Sequence, residues 1–291
     1  MIDAITKTLK SHGWFDSAIP HERQFHLTRG GSAFLILTRG GVFETYVKFS
    51  ESVNFYDEAL RSRAANFSYP SQTAQFKGRA VAEGIDMLVS QAVNCLEVRK
   101  DDVLSGTETG KYWQGLNLYF SSMVSAKIPL GVQTVKNVDL PKVLENHFES
   151  HPLRAVADHW LNQEWIVELT KSMHSCPQHG DFVLNNIGIS SNGLVLFDWE
   201  DFGRILLPGI DIYSLLISIG LGRVRRIQDC KGCSPQFFYF VKRQCLNINI
   251  TVRELELLIP IYLLTLLYMR RSFGRTSLER LESLLVEFTY N

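Results

Sequence analysis

The sequence predicts an α+β protein with a small β-rich N-terminal part and a larger helical C-terminal part. Residues 24–49 hold apolar, β-branched and aromatic runs around a Gly-Gly turn, a pattern typical of two or three strands. From residue 112 onward, apolar residues recur mostly at helical spacing, interrupted by one predicted hairpin. The composition changes near Val93–Val98. We therefore place the boundary there and assign residues 1–95 to the first part and residues 96–291 to the second.

The bulk composition is that of a folded globular protein. Its 291 residues are 45% hydrophobic, which is enough for one large or two smaller domains. Thirty basic residues balance thirty acidic ones, so the net charge indicates neither nucleic acid nor an anionic membrane as a partner.

Location and redox state are predicted from what the sequence lacks. The longest apolar run, Leu257–Met269, contains Pro260 and is too short to span a bilayer, so we predict a buried helix there. The first residues lack the layout of a secretory signal, and the five cysteines are an odd count. We therefore expect reduced thiols and a cytoplasmic protein without a membrane span.

The individual elements follow from local pattern. Strands are predicted where apolar or alternating β-branched and aromatic residues run between turn signals: Phe34–Leu37, Phe43–Phe49, Gln75–Ala82 and Met87–Val93. A helix is predicted from about Asn54 to Phe67, with Asn54 as its N-cap, and residues 94–102 form a connector. Helical spacing predicts the remaining helices within 112–126, 140–175, 210–220, 236–247 and 253–290.

The hairpin that interrupts these helices consists of two short strands, Asn186–Ser190 and Leu194–Phe197, around the turn signal Ser191-Asn192-Gly193. If Asn192-Gly193 is a two-residue turn, Asn186 lies opposite Trp199. A loop one residue longer or shorter brings Asn186 closer to Asp198. In each of these registers, Asn186 and Asp198 lie at the same open end of the hairpin.

The open end of the hairpin is a predicted cation site. Asn186 offers an amide oxygen and Asp198 a carboxylate, and oxygen ligands of this kind suit a hard cation. Asp201 lies three residues further, up to about 10 Å away along an extended chain. We therefore expect Asp198 rather than Asp201 to hold a metal ion, although Asp201-Phe202-Gly203 spells the metal-binding tripeptide of protein kinases.

Four short elements occur in one order and with compatible gaps: His179-Gly180-Asp181, Asn186, Asp198-Trp199-Glu200 and Asp211. With them, residues 179–215 resemble the catalytic segment of the aminoglycoside phosphotransferase and choline kinase superfamily. The detailed match covers about an eighth of the chain, and the N-terminal region supports it more loosely. The resemblance implies the two-lobed, protein-kinase-like fold of that superfamily, with residues 1–95 as the N-lobe and residues 96–291 as the C-lobe.

The resemblance also implies roles for the matched residues. Asp181 would be the base that orients the acceptor hydroxyl and takes its proton. Asn186 and Asp198 would hold one or two Mg²⁺ ions at the nucleotide phosphates. His179 would brace the catalytic loop by hydrogen bonding, and Asp211 would tie that loop down from its helix. The remaining two acidic residues would lie at the rim of the acceptor pocket: Glu200 and Asp201.

The N-lobe should supply the nucleotide clamp. Lys48 lies among apolar residues in a predicted strand, as the phosphate-binding lysine of kinase folds does. Taken alone, a solvent-facing lysine on an alternating strand is the simpler interpretation. Glu58 on the next helix is the best candidate for an ion pair with Lys48, and Glu51 and Asp57 are its rivals.

Two backbone segments complete the predicted clamp. The loop Thr28–Ala33, with Gly30, Gly31 and Ser32, would cover the phosphates because glycine permits close backbone approach. A plain hairpin turn is the alternative for this loop. The connector Gln91–Leu96, including Val93, would bind the adenine through backbone groups.

The resemblance therefore implies an ATP- or GTP-dependent O-phosphotransferase that uses Mg²⁺ and acts on a hydroxyl of a small molecule, which could be aminoglycoside-like, an amino alcohol or a sugar. A kinase that phosphorylates a protein partner is one alternative, but only about ten residues separate Glu200 from Asp211, too few for a long activation loop. A non-catalytic nucleotide-binding scaffold is the other alternative, although every catalytic position that can be placed is filled.

Overall fold

The N-terminal strands form one antiparallel sheet. The computed structural model describes residues 1–14, 22–27, 32–39, 42–105, 110–270 and 275–290. Its N-terminal strands are β1 (Glu22–Leu27), β2 (Ala33–Arg39), β3 (Val42–Ser50), β4 (Phe76–Ala82) and β5 (Ile85–Gln91), in the spatial order β1-β2-β3-β5-β4. The prediction of two or three strands within 24–49 is confirmed at three. The two later strands are confirmed with their bounds shifted by up to two residues.

The two faces of the sheet pack against different helices, because side chains alternate along each strand. The sequence analysis did not predict α1 (Ile2–Ser11), which buries Ile5 and Leu9 against one face. The opposite face carries Lys48 next to its cross-strand neighbour Leu88. Leu88 belongs to a small separate core with Phe55 and Ala59, the latter on helix α2 (Tyr56–Ser68). The sheet therefore presents Lys48 to the side on which α2 lies.

Helix α2 begins two residues later than the first residue predicted for it. Asn54 is not the N-cap but lies one residue before it, where its side-chain oxygen accepts from Tyr56 N–H at 2.8 Å. This is an Asx turn, which an asparagine forms with the backbone two residues on. The N-cap position belongs to Phe55, whose N–H donates to the carboxylate of Asp86 at 3.1 Å. A contact from the sheet, not a local cap, fixes the start of α2.

The larger part of the chain is helical, as predicted. Its helices are α3 (Lys100–Leu104), α4 (Lys111–Met123), α5 (Leu140–Phe148), α6 (Arg154–Leu161), α7 (Glu164–Ser172), α8 (Ile210–Ser218), α9 (Cys230–Cys233), α10 (Pro235–Asn247), α11 (Val252–Leu257), α12 (Ile259–Met269) and α13 (Arg275–Tyr290). The segment predicted as 140–175 is divided into α5, α6 and α7, and Pro152, which cannot continue a helix, lies in the turn between α5 and α6.

Helix α12 lies in the middle of the C-lobe core. All of its residues are buried except Tyr268, which is half-buried, so the prediction of a buried helix is confirmed. It packs on α13, α5, α6, α8 and α11. Among the described residues, we find no helix with the length and apolar character needed to cross a membrane.

The predicted hairpin forms a second small sheet with a strand from the connector. β6 (Leu96–Glu97) pairs with β7 (Ile187–Ser190), which pairs with β8 (Gly193–Leu196). Ser190 pairs with Gly193, so the loop is Ser191-Asn192 and begins one residue earlier than predicted. The Ser190 hydroxyl accounts for this difference, since it accepts from Asn192 N–H and donates to Gly193 O, both at 3.1 Å.

Candidate active site

The shifted turn moves the partner of Asn186. Asn186 O accepts from Phe197 N–H at 2.9 Å, so Asn186 lies opposite Phe197 and not opposite Trp199 as the two-residue Asn192-Gly193 turn required. Asp198 is the next residue along the chain. The expectation that Asn186 and Asp198 share the open end of the hairpin is confirmed.

Asp198 leaves the hairpin in a left-handed backbone conformation, with φ 60° and ψ 65°. This conformation is strained for most L-residues, and aspartate is among the few that tolerate it. A 3-10 turn, Trp199–Asp201, follows at once, so that the neighbours Glu200 and Asp201 leave the backbone in different directions. The Asp198 side chain remains 43% exposed, which keeps its carboxylate accessible.

The predicted ion pair between Lys48 and Glu58 is present. Both carboxylate oxygens of Glu58 accept from Lys48 Nζ at 3.0 Å. The two rivals, Glu51 and Asp57, are exposed and form no ion pair with Lys48. Lys48 lies on the central strand β3 and Glu58 on the first turn of α2, so the contact joins the sheet to the helix.

Two further carboxylates reach the same lysine from the C-lobe. Lys48 Nζ lies 3.2 Å from Glu200 Oε2 and 3.7 Å from Asp198 Oδ1. We refer to Lys48, Glu58, Asp198 and Glu200 as the lysine cluster. Oxygen atoms of its three carboxylates lie within 4.8 Å of one another. The cluster thus joins both lobes around one ammonium group.

The lysine cluster shifts the pKa of its members. Burial lowers the pKa of Lys48, but the three carboxylates outweigh it, so the pKa is raised and the lysine stays charged. Burial and the neighbouring carboxylates raise the pKa of Glu58 to about 7, against the effect of Lys48. Partial burial of the carboxyl group, together with the nearby Glu200 and Asp181, raises the pKa of Asp198 to about 6. One lysine does not neutralise three adjacent carboxylates.

Asp181 lies in a turn between Gly180 and the hairpin, and both of its carboxylate oxygens have partners. Asn186 Nδ2 donates to Asp181 Oδ2 at 3.0 Å and to Asp181 O at 2.8 Å. Arg270 Nη2 donates to Asp181 Oδ1. The amide nitrogen of Asn186 is therefore committed to Asp181, which leaves its amide oxygen available for another ligand.

Gly180 is required for this turn. Its φ is +88°, and a Cβ there would lie 2.8 Å from Asp201 Cβ and 2.9 Å from Met269 Cε. Any larger residue would therefore clash as well as strain the backbone. The close fit brings the end of α12 directly against the loop that carries Asp181.

Asp211 anchors this loop, as predicted. It is fully buried on α8, where Oδ1 accepts from Gly180 N–H at 2.9 Å and Oδ2 accepts from His179 N–H at 2.8 Å and from the Tyr119 hydroxyl at 2.6 Å. Burial raises the pKa of Asp211, while His179 and these hydrogen bonds lower it.

His179 braces the loop from the other side. Its Nε2 lies 2.7 Å from Phe197 O and must donate there, since a carbonyl only accepts. Its Nδ1 then accepts from Asp181 N–H at 3.4 Å. The predicted bracing contact is confirmed. His179 is fully buried, so its side chain is not exposed to a substrate in this structure.

Asp201 does not lie at a rim. Its carboxylate is buried and pairs with Arg204 Nη1 at 2.7 Å. Burial raises the pKa of Asp201, and Arg204 opposes the shift. The expectation of a rim position is corrected, because the 3-10 turn that directs Glu200 to Lys48 directs Asp201 into the core.

Glu200 does line a cavity, of about 150 Å³, next to the lysine cluster. We refer to it as the Glu200 cavity. Its other lining residues come from α2, from the segment between α4 and α5, from the segment before α8 and from the end of α12: Asp57, Arg61, Gln133, Val135, Arg204 and Tyr268. The lining combines two guanidinium groups, two carboxylates and one phenol, and is therefore strongly polar.

Arg61 fixes α2 to the C-lobe. Its guanidinium donates to Phe202 O at 2.7 Å and to Gln133 O at 2.6 Å, and the side chain is buried. Burial lowers the pKa of Arg61, and Arg204 lowers it further. Arg61 lies one turn after Glu58, so the same helix face holds Lys48 and grips the C-lobe.

The predicted nucleotide segments are only partly described. Gly30 and Gly31 lie outside the described residues, and Ser32 comes directly before β2. Val93 is half-buried in the connector after β5, and its backbone N–H forms no hydrogen bond with the described residues. Cofactor binding by Ser32 and Val93 stays a prediction.

The sequence analysis missed four residues of this site: Tyr119, Gln178, Arg61 and Arg270. Gln178 accepts from Gly209 N–H at 3.1 Å and donates to Leu207 O, and so holds the start of α8. Arg270 had a signal, because it is the first charge after a long apolar run. For the other three residues, the sequence alone gives no such signal.

Comparison with known proteins identifies the fold. Choline kinase LicA from Streptococcus pneumoniae superimposes with a TM-score of 0.62 at 13% identity, over 99% of both chains. Macrolide 2'-phosphotransferase MphH from Brachybacterium faecium gives 0.61 at 10% identity, over 97% of both chains. The aminoglycoside phosphotransferase APH(2")-IIa, in a ternary complex with streptomycin and ATP, gives 0.60 at 13% identity, over 97% of this chain and 95% of that one.

These similarities establish the fold class. The chain has the two-lobed, kinase-like α+β fold of the aminoglycoside phosphotransferases and choline kinases, as the sequence predicted. No family model matches the sequence. No curated protein matches it either.

Proposed function

We propose that this protein is an ATP- or GTP-dependent O-phosphotransferase that acts on a hydroxyl of a small molecule, which could be aminoglycoside-like, an amino alcohol or a sugar. The observation that carries the proposal is the position of the lysine cluster beside the loop that carries Asp181. Asn186 connects the two, because its side chain bonds to Asp181 and its backbone pairs with the residue before Asp198. Three structural neighbours that are named as phosphotransferases or kinases support the proposal, one of them with bound ATP.

The nucleotide would lie against β3 and the connector. Lys48 is charged and is held in place by Glu58, which suits it to bind phosphate oxygens. The free backbone N–H of Val93 could pair with the base, and Ser32 would lie at the loop over the phosphates. ATP and GTP differ at the base edge that the connector would contact, and both remain candidates.

The residues present fit a magnesium ion. Asn186 has an amide oxygen without a partner among the described residues, and Asp198 has an accessible carboxylate, so both offer the hard oxygen ligands that Mg²⁺ takes. Glu200 adds a third carboxylate close to Asp198. When bound, Mg²⁺ would neutralise charge on the nucleotide phosphates. In the lysine cluster one ammonium group contacts three carboxylates, and a divalent ion would compensate the remaining negative charge.

The acceptor would approach from the Glu200 cavity. Asp181 would accept a hydrogen bond from the acceptor hydroxyl and take its proton as the hydroxyl oxygen bonds to the γ-phosphorus. The bond from that phosphorus to the β,γ-bridging oxygen would break, with its electrons going to the nucleoside diphosphate. The polar lining of the cavity suits a hydroxyl-rich molecule.

A protein acceptor is less compatible with this structure. Residues 201–209, which precede α8, are buried except for the half-buried Arg204. This segment therefore offers no exposed stretch on which a polypeptide could dock. The scaffold alternative lacks a supporting observation, and the contacts of Asp181, Asn186, Asp198 and Lys48 support a catalyst instead.

Thermal unfolding with Mg-ATP and with Mg-GTP tests the proposal first. At about 100 times its dissociation constant, a nucleotide should stabilise the wild type by roughly 2.7 kcal/mol. Asp198→Asn should lose the magnesium-dependent part of this effect. Asp201→Asn is the contrasting variant and should keep the response, because Asp201 faces Arg204 and not the nucleotide. A wild type that is unaffected by both nucleotides would refute nucleotide binding.

An acceptor screen with Asp181→Asn tests the chemistry. The variant should keep nucleotide binding and lose turnover of every acceptor that the wild type phosphorylates. Full turnover by Asp181→Asn with a true acceptor would exclude Asp181 as the base. Phosphate transfer to a partner protein and to no small molecule would favour the protein-kinase alternative.

A further inference from the structure

We propose that Arg270 is a catalytic residue of this enzyme, one that binds the phosphoryl group during transfer while it holds Asp181. This inference rests on the proposed phosphotransferase function. It assigns the cation on the acceptor side of the reaction, in addition to Lys48 on the nucleotide side.

The backbone of Arg270 is firmly placed. The residue follows α12 directly, and its N–H donates to Leu266 O at 2.9 Å. The helix behind it is buried in the C-lobe core, and Met269 abuts Gly180. The guanidinium therefore reaches Asp181 from a rigid element, which is the requirement for a preorganised catalytic group.

The contact with Asp181 uses only part of the hydrogen-bonding capacity of the guanidinium. Nη2 donates to Asp181 Oδ1, and the two side chains are only 12% and 15% exposed. Arg270 Nε is buried and has no hydrogen-bond partner among the described residues. A buried, unsatisfied N–H is unfavourable and needs an explanation. A ligand that brings acceptor oxygens to this place would provide one.

The geometry of transfer brings such oxygens close. The acceptor hydroxyl must contact Asp181 and lie in line with the γ-phosphorus, so the phosphoryl oxygens come within a few ångströms of the same carboxylate. A guanidinium on that carboxylate is then adjacent to the phosphoryl oxygens. Its several N–H donors allow it to keep Asp181 and bind phosphoryl oxygen at the same time.

The charge distribution supports the same role. Lys48 already contacts three carboxylates. Within the described part of the chain, no cation other than Arg270 contacts Asp181. As the acceptor oxygen bonds to phosphorus and its proton passes to Asp181, negative charge is shared over the three phosphoryl oxygens and the leaving diphosphate. Arg270 is placed to stabilise that charge from the acceptor side.

The first experiment uses Mg-ADP with aluminium fluoride, which imitates the transferring phosphoryl group and needs no acceptor. Mg-ADP should raise Tm in the wild type, in Arg270→Gln and in a control, Arg154→Gln, which alters an exposed ion pair on α6. Aluminium fluoride should raise Tm further in the wild type and the control but not in Arg270→Gln. An undiminished further rise in Arg270→Gln would overturn the proposal.

A second pair of variants covers the case in which Arg270→Gln leaves Asp181 unpaired and unfolds the protein. Asp181→Asn and the double variant Asp181→Asn/Arg270→Gln both lack the Asp181 charge, so neither contains an unpaired buried carboxylate at this position. The single variant should keep the response to aluminium fluoride, and the double variant should lose it. Equal responses would show that Arg270 only positions Asp181, which contradicts the proposal.

The wild-type response distinguishes this inference from the proposed function. A wild type that ignores Mg-ADP refutes nucleotide binding and with it the enzyme. A wild type that binds Mg-ADP but gains nothing from aluminium fluoride overturns the role of Arg270 and leaves nucleotide binding intact.

Discussion

At the scale of single residues, Tyr119 is the partner of Asp211 that can be removed most cleanly. Tyr119→Phe deletes the hydrogen bond that the hydroxyl donates to a fully buried carboxylate, together with the one that it accepts from His179 N–H at 3.0 Å, and keeps the aromatic packing. We expect a loss of stability of about 1.5–3 kcal/mol, typical of a hydrogen bond to a charged group. Urea unfolding measures it.

The control for this change is Tyr239→Phe, on the exposed side of α10. It should alter stability by less than about 0.5 kcal/mol. Equal effects of the two substitutions would show that the hydroxyl of Tyr119 contributes nothing special to the loop.

A pH dependence follows from the lysine cluster. The pKa of Glu58 is about 7 and that of Asp198 about 6, both above the ordinary carboxylate values. The folded protein therefore holds protons that the unfolded chain releases. The stability due to these protons is fully present at low pH and is lost as the pH rises through 6 and 7.

The stabilisation by bound magnesium should increase with pH, because the ion needs the charged carboxylates. The rise in Tm on adding Mg²⁺ should be small near about pH 5 and large near about pH 8. Asp198→Asn should flatten this difference. A magnesium effect that is the same at both pH values would argue against Asp198 as a ligand.

What the sequence revealed about single residues depended on local pattern. Lys48 and Glu58 were paired correctly because one lies on a predicted strand and the other on the next helix. Asp201 was misplaced because spacing alone does not tell which way each side chain of a 3-10 turn points. Tyr119 and Arg270 act on residues 60 and 89 positions away, and no local pattern encodes such contacts.

At the scale of elements, α2 connects the two lobes through Glu58 and Arg61. Arg61→Gln should remove two hydrogen bonds from a buried guanidinium to C-lobe carbonyls. We expect it to lower the free energy of unfolding by about 2–4 kcal/mol. It should also weaken nucleotide binding, because Glu58 would no longer be held beside Lys48.

The matched control lies on the same helix. Arg63 is exposed, and Arg63→Gln should change stability by less than about 0.5 kcal/mol and leave nucleotide binding unaltered. Chemical denaturation and nucleotide titration check both variants. A stable Arg61→Gln protein with normal nucleotide affinity would show that α2 is held by packing alone.

Element types were predicted well and element ends less well. The alternation of the strands and the helical spacing beyond residue 112 depend on burial, which sequence pattern records directly. The start of α2 depends on Asp86 in a distant strand, and the register of the hairpin depends on one serine hydroxyl. Helix α1 was missed, although its buried residues have amphipathic spacing: Ala4, Ile5, Thr8 and Leu9.

At the scale of the whole molecule, the described residues bury three separate cores. One lies between α1 and the sheet, a small one lies beside α2, and the largest fills the C-lobe. Separate cores can unfold separately. We expect calorimetry to show that the nucleotide-free protein unfolds in two steps. Mg-ATP should reduce the difference between the Tm values of the two steps.

Arg61→Gln tests the coupling between the lobes in the nucleotide-free protein. It should widen the gap between the two steps without nucleotide. A single transition with equal calorimetric and van't Hoff enthalpies, with or without nucleotide, would show that the molecule unfolds as one unit.

In the proposed enzyme, the lysine cluster would also determine how a nucleotide enters the site. Lys48 is already paired with Glu58 and Glu200, so a phosphate group would have to exchange with a carboxylate that is bound there. An incoming phosphate has to displace Glu200, and the displaced carboxylate becomes free to take a metal. In the proposed enzyme, nucleotide and magnesium should therefore bind cooperatively, each with a higher affinity when the other is present.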